Sequence, residues 1–142
     1  MIREMKETEL SFAASLESLC FSTPWSEQSL RESFELDNNF FFIYELDGKP
    51  VGYIGLCVAA DEGYIYNVAV LPDHRGKGVG KSLVSYVCER FSSLAFLTLE
   101  VRPSNTAAVA LYSSLGFERV GVRRSYYRKP VEDALLLTKY FR

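Results

Sequence analysis

Arg75-Gly76-Lys77-Gly78-Val79-Gly80-Lys81 packs three glycines and three cations into seven residues. The run stands between a strand-like segment and a helix-like one. Glycines there let backbone N–H groups converge, and the helix N-terminus adds partial positive charge. The chemistry that follows is anion binding, with a phosphate ester or pyrophosphate as the expected ligand. Gly80-Lys81-Ser82 resembles the end of a Walker A motif, but Arg75 stands where that motif needs its first glycine. The dinucleotide pattern G-x-G-x-x-G fails as well, because Gly80 follows Gly78 after one residue instead of two. A second reactive group is Glu100, set in the apolar run Leu97-Thr98-Leu99-Glu100-Val101. An acid there either lies on an exposed strand face, pairing with Arg102, or is held for use. His74 is the single histidine, so any histidine-based triad must pass through it. A histidine in such a loop is expected to be plain surface. Cys20, Cys57 and Cys88 are too far apart in sequence for a zinc motif, and no metal site is expected.

The elements that must position these groups can be read from pattern. The 142 residues make about one domain, taken as 1–142. With 48% hydrophobic and 24% charged residues the chain is globular in composition. The net charge of −2 gives no basic field for nucleic acid or a membrane surface. Arg3, Glu4, Lys6, Glu7 and Glu9 interrupt any secretory signal, and no apolar run approaches the ~20 residues of a membrane span. The expectation is a soluble cytoplasmic protein with reduced core thiols. The oligomeric state carries no signal.

Strands are expected at 2–5, 40–44, 51–59, 64–70, 95–101, 117–126 and 132–140. Turns are expected at Asp47-Gly48 and Asp61-Glu62-Gly63. Helices are expected from Glu7 or Thr8 to before Pro24, from 27 to 36 with Ser26 as N-cap, from Gly78 to Phe91, and after an Asn105 N-cap up to Gly116. The order β-α-α-β-β-β-α-β-α-β-β makes a mixed α+β fold around a mostly antiparallel sheet.

Arg75, Gly78 and Gly80 match R-x-x-G-x-G, the pyrophosphate signature of the GNAT superfamily of N-acetyltransferases. Asn67-Val68-Ala69-Val70-Leu71-Pro72 resembles that family's fourth strand. Leu99-Glu100-Val101-Arg102-Pro103-Ser104-Asn105 and Ala110-Leu111-Tyr112-Ser113-Ser114-Leu115-Gly116-Phe117 resemble its later acetyl-CoA motif. With Pro24-Trp25-Ser26-Glu27 and Arg123-Arg124-Ser125-Tyr126-Tyr127, the chain is similar to the RimI-type branch, whose members acetylate the N-terminal alanine of a small-subunit ribosomal protein.

The resemblance implies acetyl-CoA as co-substrate and a protein or peptide N-terminus, such as that of a ribosomal protein, as acceptor. It implies Glu100 as general base and Tyr112 as the acid that protonates departing CoA. Bound to acetyl-CoA would be Val68, Ala69, Val70, Asn105 and the loop Arg75, Gly76, Lys77, Gly78, Val79, Gly80 and Lys81, with an N–H near Val70 as oxyanion donor. Trp25 would wall a peptide groove or merely anchor its helix. Of Tyr126 and Tyr127, strand alternation lets only one face the groove. Small amines or lysine side chains as acceptors, and a non-catalytic acyl-CoA-binding module, are the other readings. No cysteine lies within the acetyl-CoA motifs, which argues for direct transfer instead of a ping-pong route.

Overall fold

The structure is a computed structural model describing residues 1–142. Its strands are β1 (Ile2–Glu4), β2 (Asn39–Leu46), β3 (Lys49–Ala59), β4 (Glu62–Val70), β5 (Phe96–Val101), β6 (Glu118–Tyr127) and β7 (Glu132–Tyr140). Its helices are α1 (Leu10–Cys20), α2 (Glu27–Phe34), α3 (Val79–Arg90) and α4 (Thr106–Ser114). The order matches the expectation from sequence. One seven-stranded sheet runs β1-β2-β3-β4-β5-β7-β6, with every pairing antiparallel except β4 with β5. No helix is long and apolar enough to cross a membrane.

Both faces of the sheet's centre are covered, which is why β3 is buried continuously from Val51 to Leu56. On β2, Phe42 packs under α3 while Phe41 and Ile43 face α1 and α2, as strand alternation requires. Val79, Leu83, Val84, Val87 and Cys88 form the buried stripe of α3 at helical spacing. Leu10, Ala13 and Leu16 form that of α1. Leu16→Ala should cost about 2–5 kcal/mol, because its side chain is fully buried and α1 cannot collapse onto the sheet without it. The check is a lowered urea midpoint with an unchanged slope.

Two helices begin on the polar caps that the residues dictate. The Ser26 hydroxyl accepts from the Ser29 N–H at 3.1 Å, and the Asn105 Oδ1 accepts from the Ala108 N–H at 3.2 Å. The turn expected at Asp61-Glu62-Gly63 sits earlier, with Ala60 at φ 54°. Glu62 and Gly63 already belong to β4. Gly63 is there for space: an added Cβ would lie 2.5 Å from Leu97 Cδ2.

Two irregularities of β4 matter most. Its parallel pairing with β5 covers only Glu62–Tyr64 against Phe96–Thr98, so the two strands part beyond Tyr64. Against β3, Gly55 faces Asn67 but Leu56 faces Ile65, which leaves Tyr66 as the extra residue of a β-bulge.

Candidate functional site

A cavity of about 630 Å³ opens where β4 and β5 part. The segment after α1 supplies one wall, with Phe21, Ser22, Thr23 and Trp25. Tyr64, Tyr66 and Asn67 come from β4, Glu100 and Arg102 from β5, and Asn105 from the cap of α4. Tyr126, Tyr127 and Arg128 close the far side. The bulge explains why Tyr66 and Asn67 both line the cavity although they are neighbours in a strand.

Glu100 lies on this cavity with its side chain only 6% exposed. The Tyr64 hydroxyl donates to Oε2, and Arg123 Nε donates to Oε1 at 3.0 Å. Burial, and after it the bond to Glu100, push the Tyr64 phenol far above its ordinary pKa, so it remains a donor. The pairing of Glu100 with Arg102 does not form. Arg102 instead meets Glu132 at 3.1 Å, donates to the Arg128 and Pro130 carbonyls at 2.9 Å each, and reaches Ser22 Oγ at 3.3 Å. Its guanidinium also stacks 4.4 Å from the Tyr127 ring centroid. One arginine therefore ties the two walls together, as a planar fork with five donors can.

Both tyrosines of the far wall face the cavity, contrary to the alternation argument. Ser125 adopts φ 49°, and the β6–β7 register breaks between Arg123 and Tyr127. Period-two alternation does not survive such a break. The rings of Tyr126 and Tyr127 stand perpendicular, 5.0 Å apart. Across the cavity Trp25 packs 5.0 Å from Tyr66, so it both anchors its segment and forms wall.

Tyr112 is not among the cavity residues. Its ring is buried on the apolar side of α4 and packs 5.5 Å from Phe117. Burial raises its pKa well above that of a free phenol, so it stays protonated at neutral pH. The only buried side-chain nitrogen or oxygen without a partner is His74 Nδ1, so the unpaired Tyr112 hydroxyl keeps contact with solvent. His74 itself is half-buried at the end of the Pro72–His74 turn, not the plain surface residue expected.

The glycine loop lies beside the cavity and not in it. Gly76 and Gly78 take φ 75° and 82°, a region glycine enters without penalty, and Gly78 opens α3 as its N-cap. An added Cβ at either would meet nothing within 4 Å, so backbone conformation and not crowding demands glycine there. The buried Val79 and half-buried Gly80 start the first turn of α3, with Lys81 exposed. Lys77 is exposed. Arg75 Nε donates to the Val70 carbonyl at 3.3 Å and its Nη2 lies 3.1 Å from Cys20 Sγ. Leu71 N–H bonds to the Val51 carbonyl, so antiparallel alternation turns the backbone of Val68 and Val70 to the parted edge and that of Ala69 towards β3.

Several site residues carried no readable signal. Cys20 was expected in the core but lines the cavity. Glu17, fully buried in α1, takes the Trp25 N–H on Oε1 at 2.9 Å and the Asn67 Nδ2 on Oε2 at 2.9 Å, and Tyr53 donates to Oε2. Burial pushes its pKa up while these three donors oppose the rise. The one hint is an acid beside the buried positions Ala13 and Leu16 of an apolar helix. Tyr64, Tyr66, Asn67 and Arg123 also join the site across long sequence distances.

Residues 10–117 match the family described as the acetyltransferase (GNAT) family. The chain is 34% identical over 140 residues to the [ribosomal protein bS18]-alanine N-acetyltransferase of Escherichia coli, covering 96% of this chain and 94% of that one. It is 32% identical over 139 residues to a putative enzyme of the same name from Bacillus subtilis, covering 96% and 92%. The crystal structure of the Escherichia coli ribosomal-protein-S18-alanine N-acetyltransferase superposes with TM-score 0.93 at 32% identity, covering 99% of this chain and 93% of that one.

Proposed function

The chain belongs to the GNAT family of acetyltransferases, and from that premise we propose that it moves an acetyl group from acetyl-CoA directly to the α-amine of a protein N-terminus. The acceptor is the N-terminal alanine of the small-subunit ribosomal protein bS18, met in the cytoplasm. The observation that carries this reading is the buried carboxylate of Glu100 in an aromatic-walled cavity at the parting of β4 and β5. Its support is an identity of 32–34% to enzymes named for that acceptor.

In this reading the amides of Gly76, Gly78, Val79 and Gly80 hold the pyrophosphate, with Arg75, Lys77 and Lys81 supplying charge. Asn105 and the backbone of Val68, Ala69 and Val70 guide the acyl arm. The Val70 N–H, free of β3, stabilises the tetrahedral oxyanion. Glu100 removes the proton of the amine, directly or through water, and Tyr112 returns one to the leaving thiolate. Trp25, Tyr126 and Tyr127 flank the incoming chain terminus. An α-amine ionises near 7.7–8.0 against about 10.4 for lysine, so a weak carboxylate base suits the former.

The test is a peptide panel with acetyl-CoA and thiol detection. Ala-, Ser- and Met-starting peptides, N-blocked controls and internal lysines separate the acceptors. An Ala-starting bS18 peptide should turn over fastest and its N-blocked form not at all. Equal acetylation of N-blocked lysine peptides would remove the terminal-amine assignment, and acetyl-CoA binding without thiol release would make the chain a binding module.

A further inference from the structure

We infer that Asn67 Oδ1 is the acceptor that receives the N–H of the incoming amine, and that Glu17 is the positioning residue that turns it there. This inference rests on the acceptor being an amine in the cavity. Asn67 lines the cavity through its place next to the Tyr66 bulge. Its Nδ2 is committed to Glu17 Oε2 at 2.9 Å. Its Oδ1 has no protein partner and is not sealed from solvent, so it faces the cavity as an open acceptor.

The orientation is not free. A primary amide has one acceptor end and one donor end. Both Glu17 oxygens already take donors, from the fixed Trp25 N–H and from Tyr53, so only the NH₂ end of Asn67 can face them. Glu17 has no exposed surface, so water does not substitute for these bonds. The same carboxylate that pins the Trp25 wall therefore aims the Asn67 carbonyl into the cavity. An amine donating one N–H to that oxygen is held with its lone pair free for attack.

Glu17→Gln separates orientation from folding. A glutamine of the same shape keeps its oxygen on the Trp25 N–H and turns its NH₂ towards Asn67. Asn67 then rotates to accept, and presents its own NH₂ to the cavity, where it repels the N–H of the amine. Asn67→Ala removes the acceptor outright. Each variant should raise the KM for an Ala-starting peptide about tenfold, the scale of one hydrogen bond to a polar ligand group. The KM for acetyl-CoA should stay at the wild-type value. Because Glu17→Gln acts through Asn67, adding it to Asn67→Ala should raise the peptide KM no further. Trp25 is the only tryptophan, so its fluorescence reads peptide binding without turnover, and both variants should show the same loss there. An unchanged peptide KM and unchanged binding in Asn67→Ala overturn the inference. A rise in the acetyl-CoA KM, or additive losses in the double variant, assign Glu17 to general packing instead and overturn its positioning role. If the wild type neither binds nor acetylates any amine-bearing peptide, the functional reading falls and this inference with it; if the wild type does both, only the variants decide.

Discussion

Tyr112→Phe should lower kcat by roughly 10²-fold or more, the usual scale of a lost general acid. The melting temperature and the KM for acetyl-CoA should stay near wild type. The second half of that expectation comes from packing. The ring is buried against Phe117, and phenylalanine keeps it. The hydroxyl has no protein partner, so removing it breaks no internal hydrogen bond. A fall in turnover with stability intact is then hard to ascribe to structure. The chemistry also fits the environment. A CoA thiol of ordinary pKa, about 8.5, is a stronger acid than a phenol in water. What burial supplies is a phenol that stays protonated, so a proton is in place on Tyr112 when the thiolate leaves. Near-wild-type turnover at saturating substrate would take the acid role from Tyr112 and leave it a core tyrosine.

What the sequence makes legible is what local chemistry decides. Ser26 and Asn105 cap their helices because a short polar side chain before a helical run has one good use. The glycine loop declares itself because Gly76 and Gly78 need left-handed backbone and no ordinary residue supplies it cheaply. The parting of β4 from β5, by contrast, is a matter of where a ladder stops, and nothing in Tyr64 to Val70 announces it. The pairing of Tyr126 with Tyr127 on one wall depends on a single left-handed serine two residues from Tyr127. Charge partners are the least readable: Glu100 skips Arg102, two positions away, for Arg123 at a separation of 23. Cys20 comes within 3.1 Å of Arg75 across a separation of 55. Its absence from the acetyl-CoA motifs in sequence is therefore not an absence from the site in space. In the proposed roles, Glu100 takes the proton of the amine and Tyr112 returns one to the thiolate, so the proposed direct transfer needs no acyl-cysteine intermediate.

Glu100→Gln should cost roughly 10²–10⁴-fold in kcat/KM and change the shape of its pH dependence. The geometry sets the terms. Tyr64 and Arg123 take one acceptor site on each carboxylate oxygen, and each oxygen has a second lone pair. A proton acceptor therefore remains on the cavity side, and glutamine preserves the shape while removing it. The incoming α-amine has an ordinary pKa of about 7.7–8.0, so below that range it arrives protonated and needs a base to take its proton. Above that range the free amine predominates and the base matters less. The direction is fixed by sign: the amine loses its proton as pH rises, so the cost of Glu100→Gln should be largest below about pH 7.7 and shrink as the pH is raised past about 8. An equal cost at every pH, or none, would mean that solvent or another group receives the proton, and Glu100 would be left as the anchor of Tyr64 and Arg123.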